Sequence, residues 1–295
     1  MRRREFIAGL GSAAAWPVVA RAQQAAMPVI GFLNSASPGG YAPMADGFRQ
    51  GLKETGYVEG RNVTIEYRWT GGQYDRGPPM AAELVRRQVA VIVANNPGNL
   101  VAKAATTTIP IVFTTANDPV QLGLVASLAR PGGNVTGVTQ LAIEVGPKRL
   151  ELLHELVPTA TLIALLVNPT NPTSAETQSR DMQAAARILG VQLYVLHAST
   201  DRDFDTVFAT LAQLRAGALV IGADAFLYGR SEQLAALAFR HAVPAISYER
   251  AFSAVGGLMS YGGSTPDTYR LAGVYTGRIL KMLWGSSGVL NPSLH

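Results

Sequence analysis

The stretch Val89-Ala90-Val91-Ile92-Val93-Ala94-Asn95-Asn96-Pro97-Gly98-Asn99 decides the fold, because an unbroken apolar run stops abruptly at polar, turn-forming residues. That pattern reads as a buried strand ending in a loop. Residues 100–105 follow with a helical period, and Ile109-Pro110-Ile111-Val112-Phe113 is a second buried strand that breaks at Thr114-Thr115-Ala116-Asn117-Asp118-Pro119. The unit of strand, loop, helix and strand recurs as Ala218-Leu219-Val220-Ile221-Gly222-Ala223-Asp224, a helix over 231–241, and Val243-Pro244-Ala245-Ile246-Ser247-Tyr248. Two copies imply two similar lobes, and in open parallel α/β sheets ligands sit beyond the carboxyl ends of the strands. The loops 94–99 and 223–226 are therefore candidate walls of one site.

A chain of 295 residues is long for one ordinary core and suits two lobes. With 48% hydrophobic and 15% charged residues it has the balance of a well-buried globular protein. The absence of cysteine excludes a disulfide framework, a thiolate metal site and a cysteine nucleophile at once. Arg2-Arg3-Arg4-Glu5-Phe6-Ile7 is a basic start, residues 7–19 are alanine-rich and apolar, and Ala20-Arg21-Ala22 fits a small-residue cleavage site. Residues 1–22 thus read as a signal peptide, and Arg3-Arg4-Glu5-Phe6-Ile7 resembles the twin-arginine pattern of bacterial export. The expected location is the periplasm. Gly9-Leu10-Gly11-Ser12-Ala13-Ala14 matches a dinucleotide fingerprint in letters only, since no strand precedes it and it leaves with the signal.

Processing also removes charge. The formal net charge of +5 includes four arginines and one glutamate in residues 1–22, so the mature chain carries 21 basic and 19 acidic side chains, a net of +2. No nucleic-acid partner follows from that.

Taken in order, 28–33 is the first mature strand, followed by the loop Asn34-Ser35-Ala36-Ser37-Pro38-Gly39-Gly40-Tyr41 and a helix over 44–55. A strand over 62–69 and a helix over 75–88 lead into the opening unit. A helix is expected from 118 to 129, then a short strand over 134–139, then the helix Gly146–Leu156. From there the order repeats, with strands over 161–167 and 191–197, helices over 175–189 and 203–215, and Asn168-Pro169-Thr170-Asn171-Pro172-Thr173-Ser174 as the counterpart of the first polar loop. Strands alternating with helices, twice over, predict two doubly wound parallel sheets. Crossings between the lobes are expected near 139–146 and 257–262.

No nucleophile elbow, P-loop or zinc-binding helix motif is present, and the four histidines lack ligand spacing. Neither a metal nor a cofactor is expected. The informative residues lie in strand-end loops. Ser35 and Ser37 suit an anionic ligand group or simple turn duty. Asn95, Asn96 and Asn99 precede a helix whose free N–H groups suit a carboxylate, with turn chemistry as the alternative. Asp224 directly follows an apolar strand, where an acid is costly unless it caps a helix or meets a cation; a ligand ammonium is the favoured reading. Tyr41 and Tyr248 offer aromatic faces to a ligand. Asn168, Asn171 and Ser174 contact a ligand or form a structural turn; Phe226 reads as packing.

The blocks 28–34, 45–52 (Ala45-Asp46-Gly47-Phe48-Arg49-Gln50-Gly51-Leu52), 56–63, 109–113 and 128–137 occur in the order found in ABC-transporter substrate-binding proteins, including tryptophan- and tyrosine-binding members, and the chain resembles that family from about 28 to 280. The resemblance implies a type I periplasmic binding fold: two Rossmann-like lobes, 28–141 with 262–284 and 142–261, joined by a hinge. It implies a monomer that binds a small amino-acid-like ligand and delivers it to a membrane permease, with Ser35, Asn96 and Asp224 in ligand-holding loops. An exported oxidoreductase and a periplasmic ligand-sensing module are the competing classes; against the first, the opening strand leads into Asn34-Ser35-Ala36-Ser37 and not into a glycine fingerprint. One departure is the atypical tail at 285–295, where relatives are expected to continue with a further strand and helix; a truncated or frame-shifted end is expected to leave the amino-terminal lobe less covered.

Overall fold

The computed structural model describes residues 27–284; the expected signal peptide and the atypical tail lie outside the described residues. Ten strands form two five-stranded parallel sheets. The first contains β1 (Val29–Asn34), β2 (Thr64–Trp69), β3 (Val91–Asn95), β4 (Ile111–Thr115) and β5 (Val135–Thr139), in the order β2-β1-β3-β4-β5. The second contains β6 (Leu162–Val167), β7 (Gln192–His197), β8 (Ala218–Ile221), β9 (Ala245–Ser247) and β10 (Met259–Ser260), in the order β10-β9-β8-β6-β7. Counted from its own first strand, each sheet has the same order, so the repeat in the sequence is a repeat in topology. In both, the order reverses between the first and third strands, and loops leaving those two strands diverge around a crevice.

Burial on both faces explains the unbroken apolar runs. Alternate residues of β1 point to opposite sides. Ile30 and Phe32 pack with Met44, Phe48 and Leu52 of α1 (Ala42–Glu54). Leu33 packs with Leu84 of α2 (Gly77–Arg86) and Ala102 of α3 (Gly98–Ala105). The second sheet repeats this: Ile163, Leu165 and Val167 meet α4 (Gly146–Leu156) and α5 (Pro172–Leu189). Ala164 and Leu166 meet α6 (Asp203–Leu214) and α8 (Ser231–Arg240), which follows the single turn α7 (Ala225–Tyr228). α5 stops where Gly190 takes the left-handed conformation (φ +72°), the usual glycine cap.

The chain leaves the first sheet after Thr139 and enters the second lobe through α4; after β9, α9 (Arg250–Ala254) and β10 it returns in α10 (Thr265–Trp284). α10 lies against α1, and glycines from both helices make the contact. A Cβ on Gly51 would fall 1.8 Å from the Arg270 carbonyl oxygen, and one on Gly273 2.2 Å from that of Phe48.

The helix expected over 118–129 does not form. Asp118 Oδ1 accepts from Val120 and Gln121 N–H at 2.7 and 3.3 Å and starts a turn. Gly123 then goes left-handed (φ +67°) and ends it. Leu124 and Val125 are nevertheless buried, so the apolar period reflects packing of an irregular segment. No helix among the described residues is long and apolar enough to cross a membrane.

Candidate functional site

Loops at the carboxyl ends of both sheets surround a recess of about 450 Å³, open mouth included. Its lining is polar and aromatic: Asn95, Asn96, Thr114, Thr115, Asn117, Gln140, Thr265, Thr268 and Tyr269 come from the first sheet's side and the crossings, Asn171, Ser174, Asp224 and Tyr248 from the second. Among the described residues no lysine, arginine or histidine lines it.

Five of the eight candidate residues line this cavity: Tyr41, Asn95, Asn96, Asp224 and Tyr248. Asn95 is buried at the end of β3, and its Oδ1 accepts the Ser35 N–H at 2.8 Å, which fixes the β1 and β3 loops to each other. Asn96 Nδ2 donates to Ser174 Oγ at 2.9 Å and to Asn117 Oδ1 at 3.2 Å, spanning the two sheets' loops. Its Oδ1, like Thr114 Oγ1, is buried without a partner among the described residues. A buried polar atom left unpaired costs free energy, which contact with a polar ligand group would recover.

Asp224 is the centre of the second wall. It is 7% exposed and sits immediately before α7. Its Oδ1 accepts from Phe226 N–H at 2.9 Å, which caps that turn, and from Asn168 Nδ2 at 3.0 Å. Oδ2 accepts from Asn171 Nδ2 at 3.2 Å, and the Tyr74 hydroxyl lies 3.3 and 3.2 Å from the two oxygens. Among the described residues no cation pairs with it. Of the two sequence readings of Asp224 the helix cap is present, and the acid also lies on the cavity wall.

Three candidates do not line the cavity. Ser35 is turned inward, with Oγ donating to the Asn96 carbonyl at 3.0 Å and its own carbonyl accepting from Thr70 Oγ1, so it shapes the wall from behind. Ser37 borders a smaller recess beside Gly71, Gly72, Phe226 and Arg230. Asn168 is spent on positioning: Oδ1 accepts from Thr170 N–H and Oγ1, and Nδ2 donates to Asp224 and Tyr74. Phe226 packs, stacked on Phe204 with ring centroids 5.7 Å apart. Asn117 was legible in principle, since it follows β4 as Asn96 follows β3, whereas Tyr74 and Tyr269 carry no local signal.

Behind Tyr248 lies a set of buried ionisable groups. Glu249 is 2% exposed, and burial pushes its carboxyl up to about 8, with the Thr265 backbone N–H pulling the other way. The Thr265 hydroxyl donates to Glu249 Oε1 and accepts from Gln140 Nε2 at 3.0 Å, so one chain of bonds joins both lobe crossings. Arg149 is 1% exposed; burial lowers it to about 10, so it stays charged at neutral pH, held by the Tyr261 carbonyl at 3.4 Å. Tyr41 and Tyr248 are raised well above the ordinary phenol value, both by burial first, then Tyr41 by Tyr269 and Tyr248 by Glu249, so both stay neutral.

Glu249 gives a pH dependence with a definite sign. An unfolded glutamate loses its proton near 4.5, whereas the folded one keeps it to about 8. Its contribution to stability is complete below the lower value and is lost as pH rises through the upper one. The urea midpoint should therefore fall between about pH 5 and pH 8.5, and Glu249→Gln should flatten that fall; parallel profiles for the two proteins would show that Glu249 does not cause it.

Comparison with known proteins agrees with the architecture. The family model described as "ABC transporter substrate binding protein" matches residues 12–286. A tyrosine-binding protein of Clostridioides difficile (strain R20291) is 28% identical over 218 residues, which cover 73% of this chain and 62% of the relative, so the match spans less than two thirds of that protein's length. Among solved structures, a conserved domain protein from Vibrio cholerae aligns with a TM-score of 0.78 at 24% identity, covering 90% of this chain and 88% of the other. The ABC domain of a Streptococcus pneumoniae protein in complex with L-Trp aligns with a TM-score of 0.72, also at 24% identity and with the same coverage. At that identity, the two structures speak to the fold.

Proposed function

The chain belongs to the ABC transporter substrate-binding protein family, and from that premise we propose that it is the extracytoplasmic solute-binding component of an ABC importer, holding a small amino-acid-like or aromatic carboxylate ligand between its lobes. The observation that carries this reading is Asp224, a buried carboxylate on the cavity wall that no cationic side chain among the described residues neutralises. A buried charge is tolerated when a counter-charge meets it, and a ligand ammonium is the counter-charge the cavity admits. Tyr41, Tyr248 and Tyr269 supply faces for an aromatic side chain. With no cation in the lining among the described residues, a ligand carboxylate falls to hydroxyls such as that of Thr114, while Asn96 Oδ1 is an acceptor for the ammonium. The tyrosine and L-Trp named for two of the similar proteins are the first ligands to try.

On this reading the moving units are 28–141 with 262–284, and 142–261, and the close fit of α10 on α1 supports assigning 262–284 to the first lobe. The protein works as a monomer with a membrane permease as its partner, needs no cofactor and turns over no substrate. At about a hundred times its dissociation constant, L-tyrosine or L-tryptophan should stabilise the fold by roughly 2.7 kcal/mol, and mass spectrometry should recover it unchanged. No shift with any amino acid, or chemical conversion of the one that binds, would overturn the reading.

Delivery to the periplasm by the twin-arginine route rests on residues 1–22 alone. Replacing Arg3 and Arg4 by lysine should leave the precursor in the cytoplasm; normal processing of that variant would assign it to the general secretory route.

A further inference from the structure

Tyr74 lines no part of the cavity, yet its hydroxyl reaches the buried carboxylate of the opposite lobe. It is held on a single 3-10 turn, Tyr74–Arg76, between β2 and α2 of the first lobe. Three of the donors to Asp224, namely Phe226 N–H, Asn168 and Asn171, belong to the second lobe and move with it. The fourth, Tyr74, crosses from the first, 3.2 and 3.3 Å from the two oxygens. Among the described residues Tyr74 is the one donor that the first lobe supplies to this carboxylate.

We propose that Tyr74 is a positioning residue that latches the closed lobes through Asp224, setting how long a bound ligand stays and not how fast it enters. A hydrogen bond to a carboxylate is stronger than one between neutral groups. This one exists only when the lobes meet, so it favours the closed state alone. The phenol is held neutral well above its ordinary value, by burial first and by the Asp224 charge next, so it remains a donor to Asp224 while accepting from Asn168 Nδ2 at 3.2 Å. The adjoining seam is tight: a Cβ on Gly40 would lie 3.0 Å from Gly229 Cα across the cleft, and one on Gly72 3.8 Å from the Phe226 ring. Lobes that meet at such distances shield the bond from bulk water and strengthen it.

The kinetic half of this proposal rests on the ligand-binding reading; the conformational half does not. Since the chain has no cysteine, Arg86→Cys and Arg202→Cys, at exposed positions on opposite lobes, provide a clean pair for spin labels. In pulsed electron-spin distance measurements, with and without L-tyrosine, Tyr74→Phe should lower the ratio of closed to open molecules roughly tenfold, the size of a charged hydrogen bond. L-tyrosine should dissociate about tenfold faster with an unchanged association rate. In an Asp224→Asn background the same change should have less than about a twofold effect, because the latch has already lost its charge. Distances that Tyr74→Phe leaves unchanged under both conditions would overturn the proposal, as would an equal shift in the Asp224→Asn background. A shift without ligand in a protein that binds no L-tyrosine would support the latch and count against the ligand.

Discussion

Asp224→Asn should weaken an amino-acid ligand by about 1.5–3 kcal/mol, the range for a hydrogen bond to a charged group, or roughly ten- to 150-fold in dissociation constant. The change removes a unit charge from a site where no other side chain among the described residues supplies one, so the ligand ammonium would lose its counter-charge and keep only a dipole. The fold should lose far less. Asparagine is as good a helix cap as aspartate, so its Oδ1 can still accept from Phe226 N–H and Asn168 Nδ2 as Asp224 Oδ1 does. The introduced amide would face Asn171 Nδ2, a donor that then needs another partner, at a cost of about 1 kcal/mol. Calorimetric titration and urea unfolding of the same preparation separate the two effects. Unchanged affinity with a lowered unfolding midpoint would identify the carboxylate as a structural cap and remove the main support for an ammonium-bearing ligand.

Gly51→Val should destabilise the folded chain by on the order of 3 kcal/mol, the upper end for overpacking a closed interface. The obstruction is backbone: the new Cβ would meet the Arg270 carbonyl oxygen at 1.8 Å and its carbon at 2.8 Å, and neither can swing aside as a side-chain tip would. α1 and α10 would have to separate along a contact where a Cβ on Gly47 would likewise fall 2.5 Å from Pro266 O and one on Gly277 1.8 Å from Thr55 Oγ1. Close-packed interiors transmit such a displacement and do not absorb it. Because α10 is the segment by which the chain returns from the second lobe, its displacement should also loosen the Gln140–Thr265–Glu249 link between the crossings. Gly39→Ala is the control, since a Cβ there meets nothing within 4 Å and its φ is not positive; it should fall within about 0.5 kcal/mol of wild type. A Gly51→Val protein with the wild-type urea midpoint would mean that the two helices pack less closely than described.

The same glycines mark a boundary of sequence reasoning. Gly47 and Gly51 stand four apart on one face of α1, and Gly273 and Gly277 four apart on α10. Spacing announces a smooth helix face but not its partner, and the chain places more than two hundred residues between the pairs. The irregular segment after Asp118 shows the converse: its apolar residues are spaced as in a helix, and Gly123 decides against one.

The sequence by itself determined the two parallel lobes and their walls. Strands covered on both faces must be continuously apolar, their ends must be polar, and the pattern is written twice, so topology and the cavity-lining loops at Asn95, Asn96 and Asp224 follow from local composition. It did not determine which side chains within those loops face the cavity. Ser35, Ser37 and Asn168 are as polar as Asn96, yet hydrogen bonds turn Ser35 and Asn168 to other duties and Ser37 borders a separate recess. Nor did it determine that Tyr74 meets Asp224 across 150 positions of chain, or that Glu249 keeps its proton to about 8. Those outcomes depend on distances and desolvation set when the two lobes pack, and hydrophobic periodicity, which reports one element's burial at a time, carries no record of either.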